Sequence, residues 1–200
     1  MKHAHQMVVN GHARLHVLSP SANQAGLRTS FEKARYQRFV IETGWECANS
    51  EHREHDEFDP NAPYIVLEKD GRVVAGCRLL LRRLIGKLPV EEYLSNHVVP
   101  DNGIEISRML TLPEGRAHMN ALYGFMLSWL VEMRIEFVYM TIRERYLRAL
   151  ERRGFRCFEA LPVRSPLRKV GNNGQEDLFF PIRMPLGRVQ EVFALLELAA

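Results

Sequence analysis

A tight turn between two apolar runs constrains the fold of this chain more than any other sequence feature. Residues 64–67 and 73–81 are rich in Val, Ile and Leu, and the turn between them reads Lys-Asp-Gly-Arg, with Asp70 and Gly71 at its centre. Asp-Gly is typical of a type I′ turn, because both central residues must adopt positive φ angles. The two runs are therefore predicted to be antiparallel neighbours in a β-sheet.

Helices and strands alternate over the rest of the chain. Hydrophobic periodicity and helix-end signals predict helices over residues 23–43, 89–96, 117–133, 144–152 and 186–198. Strands are predicted over residues 13–18, 104–112, 137–142 and 178–184, with one more strand after a turn at 154–158. This order favours a central mixed sheet covered by helices, which is the three-layer α/β/α sandwich class.

The chain is predicted to form a single domain, residues 1–200. Its 200 residues are 46% hydrophobic, which is enough to bury a sizeable core. Residues 1–12 are predicted to be a flexible tail. Residues 161–176 lack periodicity and contain two prolines, two glycines and two asparagines, a composition that is typical of a mobile surface loop.

Composition argues against several classes of partner. The net charge of +3 is mild and does not indicate a nucleic-acid-binding protein. The three cysteines, Cys47, Cys77 and Cys157, have no CxxC spacing, so they predict neither a disulfide framework nor a thiolate metal site and suit a reducing cytoplasm. The N-terminal histidines match no ligand motif, and no apolar run is long enough for a membrane span, so we expect no metal and no membrane partner.

Charged residues interrupt two of the predicted strands. Arg78 lies in the run Gly-Cys-Arg-Leu-Leu, and Glu105 and Arg108 lie in the run Gly-Ile-Glu-Ile-Ser-Arg. Buried charge must be paired, since removing one partner of a buried ion pair costs about 3–5 kcal/mol. The chemically sensible arrangement is one mutually compensating cluster of three cations and three acids, namely Arg35, Arg78 and Arg108 with Asp56, Asp59 and Glu105.

The loop after the first predicted helix keeps aromatic residues among its acids. Trp45 and Phe58 stand between several carboxylates, and Arg35 and Phe39 are neighbours on one face of the preceding helix. An aromatic wall beside carboxylates suits a cationic ligand that has an apolar part. The alternative is an amphipathic helix whose loop folds its aromatic side chains onto the core and leaves its acids in solvent.

Taken together, these residues resemble the LuxI-type acyl-homoserine-lactone synthases, the autoinducer synthase family, which is a branch of the GNAT-like acyltransferase fold. The resemblance is good over residues 27–113 and rests on element order beyond them. After the strand that holds Arg78, this chain lacks the family's Pro-Thr-Thr segment, and Tyr93 stands where the family has Phe. Eight positions match the family pattern in spacing: Arg35, Phe39, Trp45, Asp56, Asp59, Arg78, Glu105 and Arg108.

The resemblance implies a GNAT-like fold and a two-step reaction. In the first step, the amine of S-adenosylmethionine attacks an acyl thioester, carried by acyl-carrier protein or by coenzyme A. In the second step, the carboxylate of the same substrate attacks its own γ-carbon, which releases methylthioadenosine and closes the lactone. S-adenosylmethionine is thus a substrate, and no cofactor and no metal are implied.

The resemblance also implies roles for the matched residues. Arg35, Phe39 and Trp45 would bind S-adenosylmethionine. The alternatives are that Arg35 braces the loop and that the two aromatic residues only pack in the core. The catalytic set would be Asp56, Asp59, Arg78, Glu105 and Arg108. Glu105 is the candidate for receiving the amine proton through water, unless pairing lowers its basicity and makes it an organiser. The other charged residues would hold the loop over the substrate, or would form a purely structural lock.

Two further sets of residues are predicted from position. The acyl chain is predicted to lie between the sheet and the long helix, among Met109, Leu122, Met126, Met140 and Thr141. A basic stretch that includes Arg148, Arg152 and Arg153 is predicted to dock an acidic carrier protein. A solvated helix face and a nucleic-acid contact are the alternatives for that stretch.

Two other functions remain open from the sequence. One is a different GNAT-like N-acyltransferase that uses acyl-coenzyme A and another amine. The absence of an RxxGxG/A pyrophosphate loop between Thr111 and Asn120 argues against it. The other is a non-catalytic binding module on the same fold, in which the charged cluster is only a structural lock.

Overall fold

The computed structural model describes residues 6–20, 24–95, 97–152, 159–163 and 166–189. Its strands are β1 (Gln6–Asn10), β2 (Ala13–Leu18), β3 (Tyr64–Lys69), β4 (Arg72–Leu81), β5 (Gly103–Thr111), β6 (Phe137–Arg143), β7 (Glu159–Ala160), β8 (Leu167–Val170) and β9 (Glu176–Pro185). Its α-helices are α1 (Ala25–Tyr36), α2 (Arg82–Ile85), α3 (Met119–Glu132) and α4 (Glu144–Arg152). Residues 186–189 are also helical, and the rest of the predicted helix over 186–198 lies outside the described residues.

The chain divides into two compact units. The first consists of Met1–Leu79 with Arg108–Met126, and the second consists of Leu80–Ser107 with Leu127–Ala200. The chain passes from one unit to the other within β4, within β5 and within α3. The prediction of a single domain over residues 1–200 stays a prediction.

Four consecutive antiparallel strands, β1 to β4, form the sheet of the first unit. The predicted hairpin is confirmed: β3 and β4 are joined by Asp70 at φ 50° and Gly71 at φ 79°, the two positive angles that a type I′ turn needs. Helix α1 packs onto this sheet through Phe31, whose ring centroid lies 5.1 Å from that of Tyr64. Both residues are fully buried, because the apolar face of α1 covers the apolar face of the sheet.

The second unit has a mixed sheet. Residues of β5 run parallel to β6, with Gly103 opposite Phe137, while β9 is antiparallel to β6, β7 and β8. A parallel pair needs a crossover, and α3 lies between β5 and β6 in the chain. The predicted α/β class with a mixed sheet and helices is therefore confirmed.

Two of the predicted irregular regions contain strands. The flexible tail predicted for residues 1–12 is wrong for Gln6–Asn10, which pairs with β2 as strand β1, and residues 1–5 lie outside the described part. The loop predicted for 161–176 is wrong for Leu167–Val170, which pairs with β9 as strand β8. Both strands are short and contain no buried residue, so they carry little hydrophobic periodicity that a sequence pattern could detect.

Several other elements begin or end a few residues away from the predicted positions. The helix predicted over 89–96 is a 3₁₀ helix at Pro89–Glu92, and the one predicted over 117–133 is a 3₁₀ helix at Pro113–His118 followed by α3. The turn predicted at 154–158 lies outside the described residues. No helix in the part of the chain that the structure describes is both long and apolar enough to cross a membrane.

We expect Gly76→Ala to destabilise the protein by about 1–3 kcal/mol, because a Cβ at this position of β4 would lie 2.7 Å from the backbone oxygen of Ile65. Gly26→Ala is the matched control, since its Cβ would meet nothing within 4 Å and α1 would gain about 0.5–1 kcal/mol of helix propensity. Urea denaturation of both variants measures the difference. Equal stability of the two variants would contradict the close packing of β3 and β4 at Gly76.

Candidate active site

The segment after α1 places two aromatic rings face to face. Residues Gln37–Glu42 form a π-helical turn, and Gly44 ends it at φ 69°. The carbonyl oxygen of Phe39 then accepts hydrogen bonds from the backbone N–H of Trp45 at 2.8 Å and of Glu46 at 3.1 Å. This folding-back stacks the Trp45 and Phe39 rings with centroids 6.2 Å apart at 18°. Single π-helical turns occur frequently at functional sites.

The acidic loop is held by its own side chains. The backbone N–H of Asp56 donates to a carboxylate oxygen of Asp59 at 2.7 Å, and the backbone N–H of Phe58 donates to Asp56 at 3.0 Å. The backbone N–H of Asp59 donates in turn to the carbonyl oxygen of Asp56 at 3.2 Å. The three-residue spacing of the two aspartates is therefore what lets each close a turn on the other.

The carboxylate of Asp59 is the centre of the buried charge. Arg35 donates to both of its oxygens, at 2.7 and 3.1 Å, in a bidentate pair. Arg78 donates to Oδ1 at 3.1 Å, and the Tyr64 hydroxyl donates to the same oxygen at 2.8 Å. Arg35 and Arg78 are almost completely buried, with exposed fractions of 0% and 2%.

The surroundings of Asp59 decide its ionisation. Burial alone would raise the pKa of this carboxyl, but the hydrogen bond from Arg35 and the positive charges of Arg35 and Arg78 outweigh burial and hold the pKa well below its usual range. Burial and the neighbouring Asp59 charge raise the pKa of the Tyr64 hydroxyl, which keeps it protonated as a donor. Asp59 is therefore ionised at neutral pH, and the Tyr64 hydroxyl is protonated and donates to it.

A second layer of ion pairs extends the cluster outward. Glu54, which is buried, accepts hydrogen bonds from Arg35 and, at 3.0 Å, from Arg108. Asp56 accepts from Arg78 and lies 3.4 Å from Arg108. Arg108 also lies 3.5 Å from Glu46, at the partly exposed edge beside Trp45.

Arg108 is held in an unusual backbone conformation. Its φ is 52°, although it is not glycine and lies within β5. Such angles cost of the order of 1–3 kcal/mol and persist where surrounding contacts fix them, often at functional sites. Here the contacts with Glu46, Glu54 and Asp56 fix the guanidinium, which also lies 6.0 Å from the Phe39 ring centroid.

The structure brings together most of the predicted cluster. Arg35, Asp56, Asp59, Arg78 and Arg108 meet in the first unit as expected, beside the Phe39 and Trp45 rings. The contacts of Arg35 are those of a residue that braces the acidic loop, since it is fully buried between Glu54 and Asp59. The structure thus confirms that these residues lie together, while their catalytic and substrate-binding roles stay predictions.

Glu105 belongs to the second unit and has a different partner. Its carboxylate is buried and accepts a hydrogen bond from the backbone N–H of Val90 at 2.9 Å, within the 3₁₀ helix Pro89–Glu92. Glu105 therefore organises this turn, and its predicted role as proton acceptor is untested.

Sequence reasoning missed three residues of the cluster. Glu54 is the third acid, and its alternation with Asp56 was a usable signal for a shared face of an extended loop. Tyr64 opens β3 and supplies a neutral donor to Asp59. Arg28 donates to the backbone oxygen of Asp59 at 2.7 Å and of Ala62 at 3.2 Å, and its guanidinium lies 4.1 Å from the Tyr64 ring centroid.

The remaining predicted residues lie in both units. In the first unit, Leu122 and Met126 are buried and Met109 is partly exposed. In the second unit, Met140 is buried and Thr141 is partly exposed. Their role as an acyl pocket stays a prediction.

The predicted docking stretch is partly described. Arg148 is exposed on α4 and pairs with Glu144 one turn away, and Arg152 is exposed at the end of the same helix. Arg153 lies outside the described residues. The role of the whole stretch in docking a carrier protein stays a prediction.

Replacing Asp59 tests whether this carboxylate stabilises the fold. Because its pKa is lowered on folding, its contribution is present above the unfolded-state pKa of about 3.9 and is lost as the pH falls below that value. We expect Asp59→Asn to destabilise the protein at pH 7 by about 3–5 kcal/mol, since Arg35 and Arg78 lose a buried partner.

The stability of the variant should also depend less on pH between 4 and 2 than that of the wild type, because the variant has no carboxyl to protonate at residue 59. Denaturant titrations at several pH values measure both effects. The matched control is Asp70→Asn, which removes an exposed carboxylate that lies 3.6 Å from His12. Equal effects of the two substitutions would contradict the central role of Asp59.

Comparisons with known proteins support the fold. No protein-family model matches the sequence, and a sequence search of curated proteins found no match. The structure is similar to the acyl-homoserine-lactone synthase LasI, with a TM-score of 0.69 and 17% identity over 88% of this chain and 91% of LasI. It is also similar to BjaI, a CoA-dependent acyl-homoserine-lactone synthase, with a TM-score of 0.67 and 17% identity over 92% of this chain and 88% of BjaI.

The similarity extends to the wider acyltransferase fold. A structure assigned as an N-acetyltransferase from Lactobacillus plantarum matches with a TM-score of 0.57 and 17% identity over 88% of this chain and 99% of its own. At these identities the likeness concerns the fold. The chain therefore has the α/β fold that the acyl-homoserine-lactone synthases share with GNAT-like acetyltransferases, as the sequence resemblance implied.

Proposed function

We propose that this protein is an acyl-homoserine-lactone synthase that acylates the amine of S-adenosylmethionine from an acyl thioester and then closes the lactone. The observation that carries the proposal is the buried network of Arg35, Arg78 and Arg108 with Glu54, Asp56 and Asp59, next to the stacked rings of Phe39 and Trp45. The network and the two rings bring together seven of the eight matched positions of the family pattern, and the eighth, Glu105, lies in the second unit.

The site suits a sulfonium amino acid. S-adenosylmethionine presents a sulfonium and an apolar purine, and both are attracted by an aromatic face. Trp45 is partly exposed, whereas Phe39 behind it is buried, so the indole is the ring that a ligand would contact. Glu46, which follows Trp45 and is about a quarter exposed, adds a carboxylate at the same edge.

Related solved structures support the same substrates. One structure of BjaI holds S-adenosylmethionine and isopentyl-CoA, and a structure of TofI holds methylthioadenosine with an inhibitor. These ligands are a substrate and a product of the proposed reaction. We extend them to this chain on the strength of the shared fold and the matched residues.

The proposed chemistry requires mainly that the protein hold the reacting groups of its substrates in the right positions. In the first step, the amine nitrogen bonds to the thioester carbonyl carbon, and the carrier thiol leaves after the amine gives up a proton. In the second step, the carboxylate oxygen bonds to the γ-carbon, and the sulfonium leaves as neutral methylthioadenosine. Holding the carboxylate and γ-carbon in a near-attack geometry lowers the barrier of such an intramolecular step.

The thioester carrier is a further part of the proposal. The exposed cations Arg148 and Arg152 of α4 would face the acidic surface of an acyl-carrier protein, whereas a coenzyme A donor would not need them. The acyl chain would lie among the apolar residues predicted above.

A second candidate is an N-acyltransferase that uses acyl-coenzyme A and another amine, because the Lactobacillus plantarum structure shares the fold. Where such enzymes place a pyrophosphate loop, this chain has the 3₁₀ helix Pro113–His118, and a Cβ on its Gly115 would lie 2.7 Å from the Val74 carbonyl oxygen. The segment is thus closely packed against β4. The absence of the glycine-rich motif favours the synthase over this candidate.

The purified full chain should release methylthioadenosine when it is incubated with S-adenosylmethionine and a set of acyl-carrier-protein and acyl-CoA thioesters, and mass spectrometry should detect the acyl-homoserine lactone. Trp45→Ala should raise the KM for S-adenosylmethionine about tenfold or more by removing the exposed aromatic face. Trp129→Ala, which removes the other tryptophan, is the matched control and should leave this KM unchanged.

The products separate the candidates. An acylated amine without methylthioadenosine would favour the second acyltransferase. The absence of both products with every thioester would favour a non-catalytic binding module and would refute the synthase proposal.

Glu105→Gln separates a proton acceptor from an organiser. The amide oxygen of Gln still accepts the hydrogen bond from Val90, so we expect the fold to persist, while kcat should fall about 100-fold because the proton acceptor is lost. Thermal denaturation checks the fold, and steady-state kinetics over a pH range measures the loss. A variant that folds and turns over at the wild-type rate would remove Glu105 from the chemistry.

A further inference from the structure

A groove runs along the side of α1 in the first unit. It has a volume of about 530 Å³, which is within the usual range for a small-molecule site. On the helix side it is lined by residues at helical spacing that include Thr29, Ser30, Lys33 and Gln37. On the other side it is lined by the start of β4 at Arg72 and Val73 and by Leu112.

Hydrogen bonds fix the walls of this groove. The Ser30 hydroxyl accepts from the backbone N–H of Val73 at 3.1 Å, which ties α1 to β4. The backbone N–H of Leu112 donates to Val74 at 2.8 Å, which ties the third wall to the same strand. The groove is therefore a preformed feature of the first unit, built on regular elements.

The charges that line the groove are of one sign. Lys33 and Arg72 are both exposed, and among the described residues neither side chain forms a hydrogen bond or an ion pair. No carboxylate from the described residues lines the groove. Two other arginines of the same unit, Arg38 and Arg53, are by contrast compensated by Glu42 and by Glu51.

The hairpin adds a third cation on the same face. Lys69 is directly opposite Arg72 across β3 and β4, and residues that are paired in this way share one face of the sheet. Like charges in directly opposite positions are destabilising. The nearby acid Asp70 lies 3.6 Å from His12. An anion bound beside Arg72 would reduce this repulsion.

We propose that this groove binds the phosphate group of a small molecule. A phosphate carries close to two negative charges and three acceptor oxygens, which matches the cations together with the hydroxyl of Thr29 and the amide of Gln37. The volume exceeds that of the phosphate alone, and Ala34, Val73 and Leu112 provide an apolar wall for the rest of the ligand. The proposal does not depend on the synthase activity.

Isothermal titration of the full chain with inorganic phosphate and with glycerol 3-phosphate, at constant ionic strength, tests the proposal. We expect saturable one-to-one binding of at least one probe. The double variant Lys33→Gln/Arg72→Gln should bind roughly tenfold or more weakly, because two charge-assisted hydrogen bonds are lost. Tighter binding of glycerol 3-phosphate would identify a phosphorylated metabolite, and equal binding would identify the free ion.

The matched control is the double variant Arg14→Gln/Arg116→Gln. It removes the same charge from two exposed residues of the first unit that do not line the groove, so phosphate binding should be unchanged. Circular dichroism confirms that both variants fold. Failure of the wild type to bind either probe saturably would overturn the proposal, and so would an equal loss of binding in the control variant.

Discussion

The carboxylate of Asp59 is the point on which the first unit depends. It accepts hydrogen bonds from Arg35 in α1, Tyr64 in β3, Arg78 in β4 and the backbone of Asp56 in the acidic loop. Helix α1, the acidic loop and strands β3 and β4 are thus fixed to a single group. Because each donor is buried or partly buried, losing the carboxylate would leave two guanidinium groups without a full set of partners, which is far more costly than the loss of a surface ion pair.

Holding a loop with a buried ionic cluster costs desolvation free energy. Well-packed apolar residues of similar volume often stabilise a protein as much or more, so such a cluster contributes mainly geometry. Here the geometry extends outward in steps, from Asp59 through Arg35 to Glu54 and from Glu54 to Arg108. Arg108, at the outer end of these steps, lies near Phe39 and Glu46, and its backbone has a positive φ angle. The ion pairs of Arg108 therefore hold its backbone in a conformation that arginine rarely adopts, and such departures from local preference are typical of functional sites.

The accuracy of sequence-based prediction here follows from how local each signal is. The Asp70-Gly71 turn and the end of the helix predicted over residues 23–43, just before Gly44, depend on neighbouring residues, and both are confirmed. Most charged residues of the cluster were predicted, but Glu54 was missed: Glu54 and Arg108 are 54 positions apart, and their pairing has no local signature in the sequence. Strands β1 and β8 were missed for the same reason, since a short exposed strand is defined by its partner.

The charged residues on the two sides of α1 differ in whether an opposite charge compensates them. On one side, Arg35 is fully buried, and its charge is compensated by Glu54 and Asp59. The acids at the centre are likewise paired, and Glu46 at the exposed edge lies 3.5 Å from Arg108, so a cation bound nearby would be attracted mainly by the Trp45 ring. On the other side, Lys33 lies in a groove with Arg72 and without a described carboxylate. Ligand binding is expected where charge is exposed and not yet compensated, and the buried network fixes the positions of the elements that present it.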